Sequence, residues 1–256
     1  MKVAAYQAPL RATSSMEVIG LIRQQVAWCA LNGVEILCCP EGVLGGLADY
    51  ASRPNDIAID VEAGQLHALL APLASDTVAT ILGFTEIDRS GRLYNSAAVF
   101  HNGSVIGIYR KLNPAINQSI YEAGDKMPIF RVGDLTFGII ICLDSNYYEP
   151  ARIMASQGAT ALFVPTNNGL PPTKAGPELI AQARNVDIAR AIENSVWVIR
   201  ADVAGRTESM VSYGSSEIVD PNGMVLQSAR QLGPDLIVAD IETVPREHRR
   251  GLQCAR

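Results

Sequence analysis

Histidine is scarce in this chain: His67, His101 and His248 are the only three, and each stands alone. No Cys/His pair has the spacing of zinc ligands, so a zinc site of the usual kind has nothing to rest on. There is no C-x-x-C, which leaves a redox-thiol protein without a resolving partner. The cysteines are Cys29, Cys38, Cys39, Cys142 and Cys254, an odd number with two adjacent in an apolar run. That argues against a disulfide scaffold and for a reducing cytoplasm. Basic residues total 21 against 26 acidic ones, mixed along the sequence with no basic stripe, so a nucleic-acid footprint is missing. No apolar run approaches the roughly 18 residues of a membrane span. Residues 1–7 are too short and too strand-like for a signal peptide. What is present is apolar and globular: 48% hydrophobic against 18% charged residues, in a length that can bury a sizeable core.

Apolar runs and helical patterns alternate. Strands are expected at 2–7, 34–39, 80–86, 161–165, 196–202 and 236–241. Helices are expected at 15–32 with Gly33 as C-cap, at 62–76, at 150–157 with Gly158 as cap, and at 177–194. Segments 94–101 and 104–109 flank Asn102-Gly103, a type I′ hairpin signal, and 129–132 and 135–141 flank Gly133-Asp134 in the same way. A further hairpin joins 215–219 to 224–229 through Pro221-Asn222-Gly223. Helical crossovers mixed with hairpins imply a mixed sheet, or two sheets, in a layered α/β sandwich. No linker or repeat interrupts it, so residues 1–256 read as one domain, with a polar tail over about 242–256.

Three polar residues share one context, each directly after an apolar strand: Glu41, Lys111 and Cys142. If those strands lie in one sheet, the side chains can converge at one end of it. A free thiol is mostly protonated at neutral pH. A carboxylate within reach can act as its general base. An ammonium, together with the backbone N–H of Leu143 after the nucleophile, can hold a developing oxyanion. Such a trio suits acyl transfer through a thioester and needs no histidine. A cysteine ending a strand is equally a packing residue, and spacing alone leaves both readings open.

The segments themselves resemble the motifs of the nitrilase superfamily, the carbon–nitrogen hydrolases. Cys38-Cys39-Pro40-Glu41, Tyr109-Arg110-Lys111-Leu112 and Cys142-Leu143-Asp144 with Glu149 and Arg152 match its three signature elements. Tyr94-Asn95-Ser96-Ala97, Val164-Pro165-Thr166-Asn167, Arg190-Ala191-Ile192-Glu193-Asn194 and Gly214-Ser215-Ser216 with Asp220-Pro221-Asn222-Gly223 add to the likeness, which runs over about residues 1–241. The resemblance implies a four-layer αββα sandwich of two mixed β-sheets flanked by helices, working as a homodimer. It implies Glu41 as base, Lys111 as catalytic lysine and Cys142 as nucleophile, with no cofactor and no metal. Asp144 and Arg152 are expected to orient the loop and helix after Cys142, Glu193 to pair with Arg190, and the 220–223 turn to close a hairpin.

The pattern is also broken in places. The family's second glutamate, placed before an aromatic-X-X-Gly element matched by Tyr121-Glu122-Ala123-Gly124, falls on Asn117, with Glu122 as a nearby substitute. The residue after the nucleophile is Leu143 rather than an aromatic, and a frequent basic position is Asn146, which weakens the case for a substrate carboxylate there. The function expected is hydrolysis of a small, non-peptide amide by a cytoplasmic enzyme with no nucleic-acid or membrane partner. Asn117, Tyr121, Asn167 and Asn168 are the candidates to line its pocket. Nitrile or N-carbamoyl hydrolysis is the alternative within the family, and a binding protein that kept the fold the alternative outside it.

Overall fold

The computed structural model describes residues 1–11, 17–115 and 118–243. In chain order its strands are β1 Lys2–Pro9, β2 Ile36–Cys38, β3 Ile59–Asp60, β4 Ala79–Ile87, β5 Leu93–His101, β6 Ser104–Arg110, β7 Ile129–Val132, β8 Leu135–Ile139, β9 Ala161–Pro165, β10 Trp197–Ala201, β11 Val203–Arg206, β12 Val211–Ser212, β13 Glu217–Val219, β14 Val225–Ser228 and β15 Asp235–Asp240. The helices are α1 Val18–Leu31, α2 Pro54–Ile57, α3 Gln65–Leu70, α4 Tyr148–Ser156 and α5 Glu178–Asn194.

Two mixed sheets form. The first runs β12-β11-β1-β2-β4-β5-β6, with β15 antiparallel to β1 and β3 parallel to the end of β4; the second runs β14-β13-β10-β9-β8-β7. Alternation along β1 shows how they stack. Val3 and Ala5 join a core shared with Phe137, Phe163 and Ile199 of the second sheet, whereas Ala4 and Tyr6 face Ile22 and Val26 of α1. This is the period of two of a strand buried on both faces. On the far side of the second sheet, Ala151, Met154 and Ala155 of α4 and Ala191 of α5 close the same core. The layers are thus helix, sheet, sheet, helix: the αββα sandwich. Each fully buried Leu, Ile or Phe in it contributes about 1.5–3 kcal/mol of transfer free energy.

Most expected elements are found, with instructive differences. The helix expected over 62–76 is shorter: α3 ends at Leu70 and tightens into a 3₁₀ turn, Ala71–Leu73, because Pro72 has no N–H to continue the ladder. The strand expected over 196–202 is β10, and a strand not expected, β11, follows it directly in the other sheet. β10 pairs with β9 in the second sheet and β11 pairs with β1 in the first, so the chain changes sheet at Asp202. The buried Asp202 carboxylate accepts the N–H groups of Val203, Asn168 and Ser215, which the crossing leaves without ladder partners. The Asn102-Gly103 turn takes positive φ at both positions, 48° and 71°, as a type I′ hairpin requires. In the Gly133-Asp134 turn only Gly133 does. The 220–223 turn closes as expected, Asp220 Oδ1 accepting the N–H groups of Asn222 and Met224. The tail over 244–256, with Cys254, lies outside the described residues.

Candidate active site

Glu41, Lys111 and Cys142 do come together, but not from one sheet. Glu41 follows β2 and Lys111 follows β6, both in the first sheet; Cys142 follows β8, in the second. The site is built where the ends of two facing sheets meet.

The turn carrying Glu41 is pressed against β4. Gly42 takes φ +57°, Gly83 N–H donates to Pro40 O at 3.2 Å, and a Cβ on Gly83 would stand 2.5 Å from both Pro40 O and Gly42 N. Glycine there is a steric requirement. Both oxygens of the buried carboxylate are held. Oε1 accepts Lys111 Nζ at 2.5 Å and Asn95 Nδ2 at 2.8 Å; Oε2 accepts the Asn167 N–H at 2.9 Å. Asn95 comes from β5 of the first sheet and Asn167 from the end of β9 in the second, so the carboxylate is fixed from both sides.

Lys111 is almost wholly buried, 2% exposed, at the end of β6. Its N–H donates to Asn95 O and its carbonyl accepts Gly124 N–H, both at 2.8 Å. Gly124, the glycine of the aromatic-X-X-Gly element, lies so close to the Arg110 backbone that no Cβ would fit. Burial disfavours the ammonium, but Glu41, Cys142 and Asp144 outweigh it and hold the Lys111 pKa above its ordinary value.

Cys142 opens a 3₁₀ turn, Cys142–Asn146, with φ +46°, a left-handed conformation uncommon for a residue with a Cβ. The residue as a whole is half-buried, while Cys29, Cys38 and Cys39 are fully buried. Burial first, and then the negative charge of Glu41, push the Cys142 thiol up from 9.0 to about 12, against the pull of Lys111 and Arg200. The Leu143 N–H lies at the N-terminal end of the same turn, where N–H groups lack intrahelical acceptors. Asp144 is buried beneath it. Its carboxylate accepts Tyr109 Oη at 2.7 Å, Asn113 N–H at 2.8 Å and Ile141 N–H at 3.2 Å, tying this turn to the segment after Lys111. The orienting part expected of Asp144 is thus visible. Arg152 acts further out, pairing with Glu149 at 2.7 Å on the surface of α4, and Glu193 pairs with Arg190 at 3.3 Å.

The expected pocket residues fare differently. Asn117 lies outside the described residues. Tyr121 is buried with its hydroxyl engaged by Ala48 N–H at 2.6 Å and Thr85 Oγ1 at 2.7 Å, so it braces a loop instead of presenting a free polar group. Asn168 is committed to Asp202 and Ser215. Asn167 spends its backbone N–H on Glu41, but it also lines a cavity of about 580 Å³ with Leu10, Arg11, Leu47, Tyr50 and Met210. Glu122 is exposed, and its charge acts on the exposed Arg92, so its register points away from the trio. Two neighbours were given no part by the sequence reading. Asn95 was quoted only within the Tyr94-Asn95-Ser96-Ala97 match, although an amide inside the apolar run 93–100 was detectable. Tyr50 ends a short 3₁₀ turn, Ala48–Tyr50, that no periodicity describes; burial, then Asp49, Glu41 and Cys142, raise its phenol. Among the described residues no group of three or more His, Cys, Asp or Glu could hold a metal ion, and no helix is long and apolar enough to cross a membrane.

Comparison with known proteins decides the family. The carbon-nitrogen hydrolase family model matches residues 2–247. The chain belongs to the carbon–nitrogen hydrolases. A nitrilase from Pyrococcus abyssi is 30% identical over 215 residues, 82% of this chain and 78% of that protein. An (R)-stereoselective amidase from a Pseudomonas species is 30% identical over 207 residues, 80% and 72% of the two chains. An amidase structure from Nesterenkonia sp. superposes with a TM-score of 0.79 at 21% identity, covering 100% of this chain and 95% of that one. This protein is therefore a carbon–nitrogen hydrolase of the nitrilase superfamily, with both amidases and nitrilases among its relatives.

Proposed function

We propose that the chain hydrolyses a small-molecule amide through a thioester on Cys142. The observation that carries this reading is the Glu41 carboxylate, pinned by Lys111, Asn95 and the Asn167 N–H, with its charge acting on Cys142 in a left-handed turn. A thiol protonated to about 12 needs a base, and Glu41, whose negative charge acts on that thiol, is the group we assign to take its proton. The sulfur attacks the carbonyl carbon, and the oxyanion settles between the Lys111 ammonium and the Leu143 N–H. As the intermediate collapses, the leaving amine takes the proton from Glu41. Water then gives a proton to Glu41 and its oxygen attacks the thioester; the acid leaves and Cys142 regains its hydrogen.

The cavity of about 580 Å³ at Asn167 is of small-molecule size, although Glu41, Lys111 and Cys142 do not themselves line it; Asn167, which holds Glu41, links it to the trio. Support for an amide also comes from the (R)-stereoselective amidase relative and from the Nesterenkonia amidase, a mutant of which shows covalent addition of the acetamide moiety of fluoroacetamide at its active-site cysteine. The P. abyssi nitrilase favours a second reading, attack of the same thiol on a nitrile carbon.

Mass spectrometry of the protein mixed with small amides and nitriles separates the two. An acyl adduct on Cys142 formed from amides, with amine or ammonia released, is the expected result, and Cys142→Ala should lose both adduct and turnover. Full amidase activity in Cys142→Ala would refute the mechanism; adducts from nitriles alone would select the second reading.

A further inference from the structure

Behind the trio lies a buried ion pair that the reaction sequence leaves without a part. Arg200 on β10 and Asp187 on α5 are joined by two hydrogen bonds, Nε to Oδ2 at 2.6 Å and Nη2 to Oδ1 at 2.5 Å. Exposure is 2% for the arginine and 0% for the aspartate. Two further bonds leave the guanidinium: Nη1 donates to Thr166 Oγ1 at 2.7 Å, and Nη2 to Ser145 Oγ at 3.0 Å. Ser145 Oγ in turn donates to the carbonyl of Cys142 at 2.7 Å, and the Thr166 carbonyl accepts the N–H of Glu41 at 3.3 Å. One planar fork therefore grips the segment that carries the thiol and the segment that abuts the base, and is itself anchored on a helix outside the sheets.

We propose that Arg200, held by Asp187, is a positioning residue for the hydrolysis: through Ser145 it fixes the left-handed turn at Cys142. The proposal rests on Cys142 being the nucleophile. A strained φ persists only where its surroundings over-determine it, and the Cys142 carbonyl is fixed here by a hydroxyl that Arg200 itself holds. Lysine could supply the charge but not four bonds in one plane. The charged or titratable groups facing Cys142 are Glu41, Tyr50 and Asp202 on the acidic side and Lys111 and Arg200 on the basic side. Those facing Arg200 are Asp187, Asp202, Glu217 and Cys142. With Lys111 already committed to Glu41, Arg200 is the second cation acting on the sulfur.

The test uses the full chain and two variants. Asp187→Asn/Arg200→Gln removes both charges together and strands neither; Ser145→Ala cuts only the tether. Alkylation of Cys142 by iodoacetamide at pH 8, located by peptide mass, is followed beside kcat and KM on an amide. In the paired variant we expect Cys142 alkylation at pH 8 to slow about tenfold. There kcat should fall with KM unchanged. In Ser145→Ala we expect a lower kcat with the alkylation rate retained. A wild-type alkylation rate in a folded paired variant would overturn the proposal, as would a rise in KM alone. Should the paired variant fail to fold, Arg200→Lys replaces it: kcat must fall while the alkylation rate stays, and wild-type kcat would overturn the idea. Alkylation needs no amide, so slowed alkylation in the paired variant of a chain that turns over no amide would fail the functional reading and leave the positioning of the thiol standing.

Discussion

Cys142 keeps its proton to about 12 in the fold, and this has a consequence for stability as well as for chemistry. An unfolded thiol releases its proton near 9, so between about pH 9 and 12 the unfolded chain gives up a proton that the folded one retains. Stability must fall across that window, by about 1.4 kcal/mol per pH unit for this one group. Cys29, also pushed up to about 12 by burial, adds to the same slope. Urea melts at pH 8 and pH 10 should show Cys142→Ala losing less stability than the parent; equal losses would contradict the assignment. The sequence already marked the three residues proposed to react, because each is a polar group after an apolar strand. It marked their supports poorly. Asn167 and Asn168 look alike in sequence, yet one holds Glu41 with its backbone N–H and the other serves Asp202. Which polar atom is free is decided by tertiary neighbours that no spacing encodes.

The elements that present the site do so by close backbone approach. β4 lies against the Glu41 turn so tightly that Gly83 has no room for a methyl group. Gly83→Ala should therefore push the carboxylate out of reach of Lys111 and Asn95, lowering kcat by about 10²-fold or more, as misplacement on the order of 1 Å does. Circular dichroism should still report a folded chain. Unchanged kcat in Gly83→Ala would show that the turn can yield. Hairpins and amphipathic helices were legible at this scale, since turn dipeptides and periodicity are local. The strand β11 that follows β10 was not: a single residue separates it from β10, and only the buried Asp202 at the junction betrays the change of sheet.

At the scale of the whole molecule the layered α/β class followed from alternation of elements, but the pairing of strands did not. Glu41, Lys111 and Cys142 were expected to converge if their strands shared one sheet; they converge because two sheets face each other. The separation of Glu41 from Cys142, the proposed base and nucleophile, is then a property of the filling between the sheets, where Phe137 and Phe163 meet edge to face at 5.0 Å. The interior works as a spacer block, and a machinist's tolerance applies to it. Shaving that block, as in Phe137→Leu, should register as a lower rate of thiol alkylation and a lower kcat in a protein that has lost nothing from its site. A variant with reduced stability but parental rates would show the spacing to be set elsewhere. For this enzyme, conserving the reactive residues is not enough to conserve the reaction; the thickness of the core must be inherited with them.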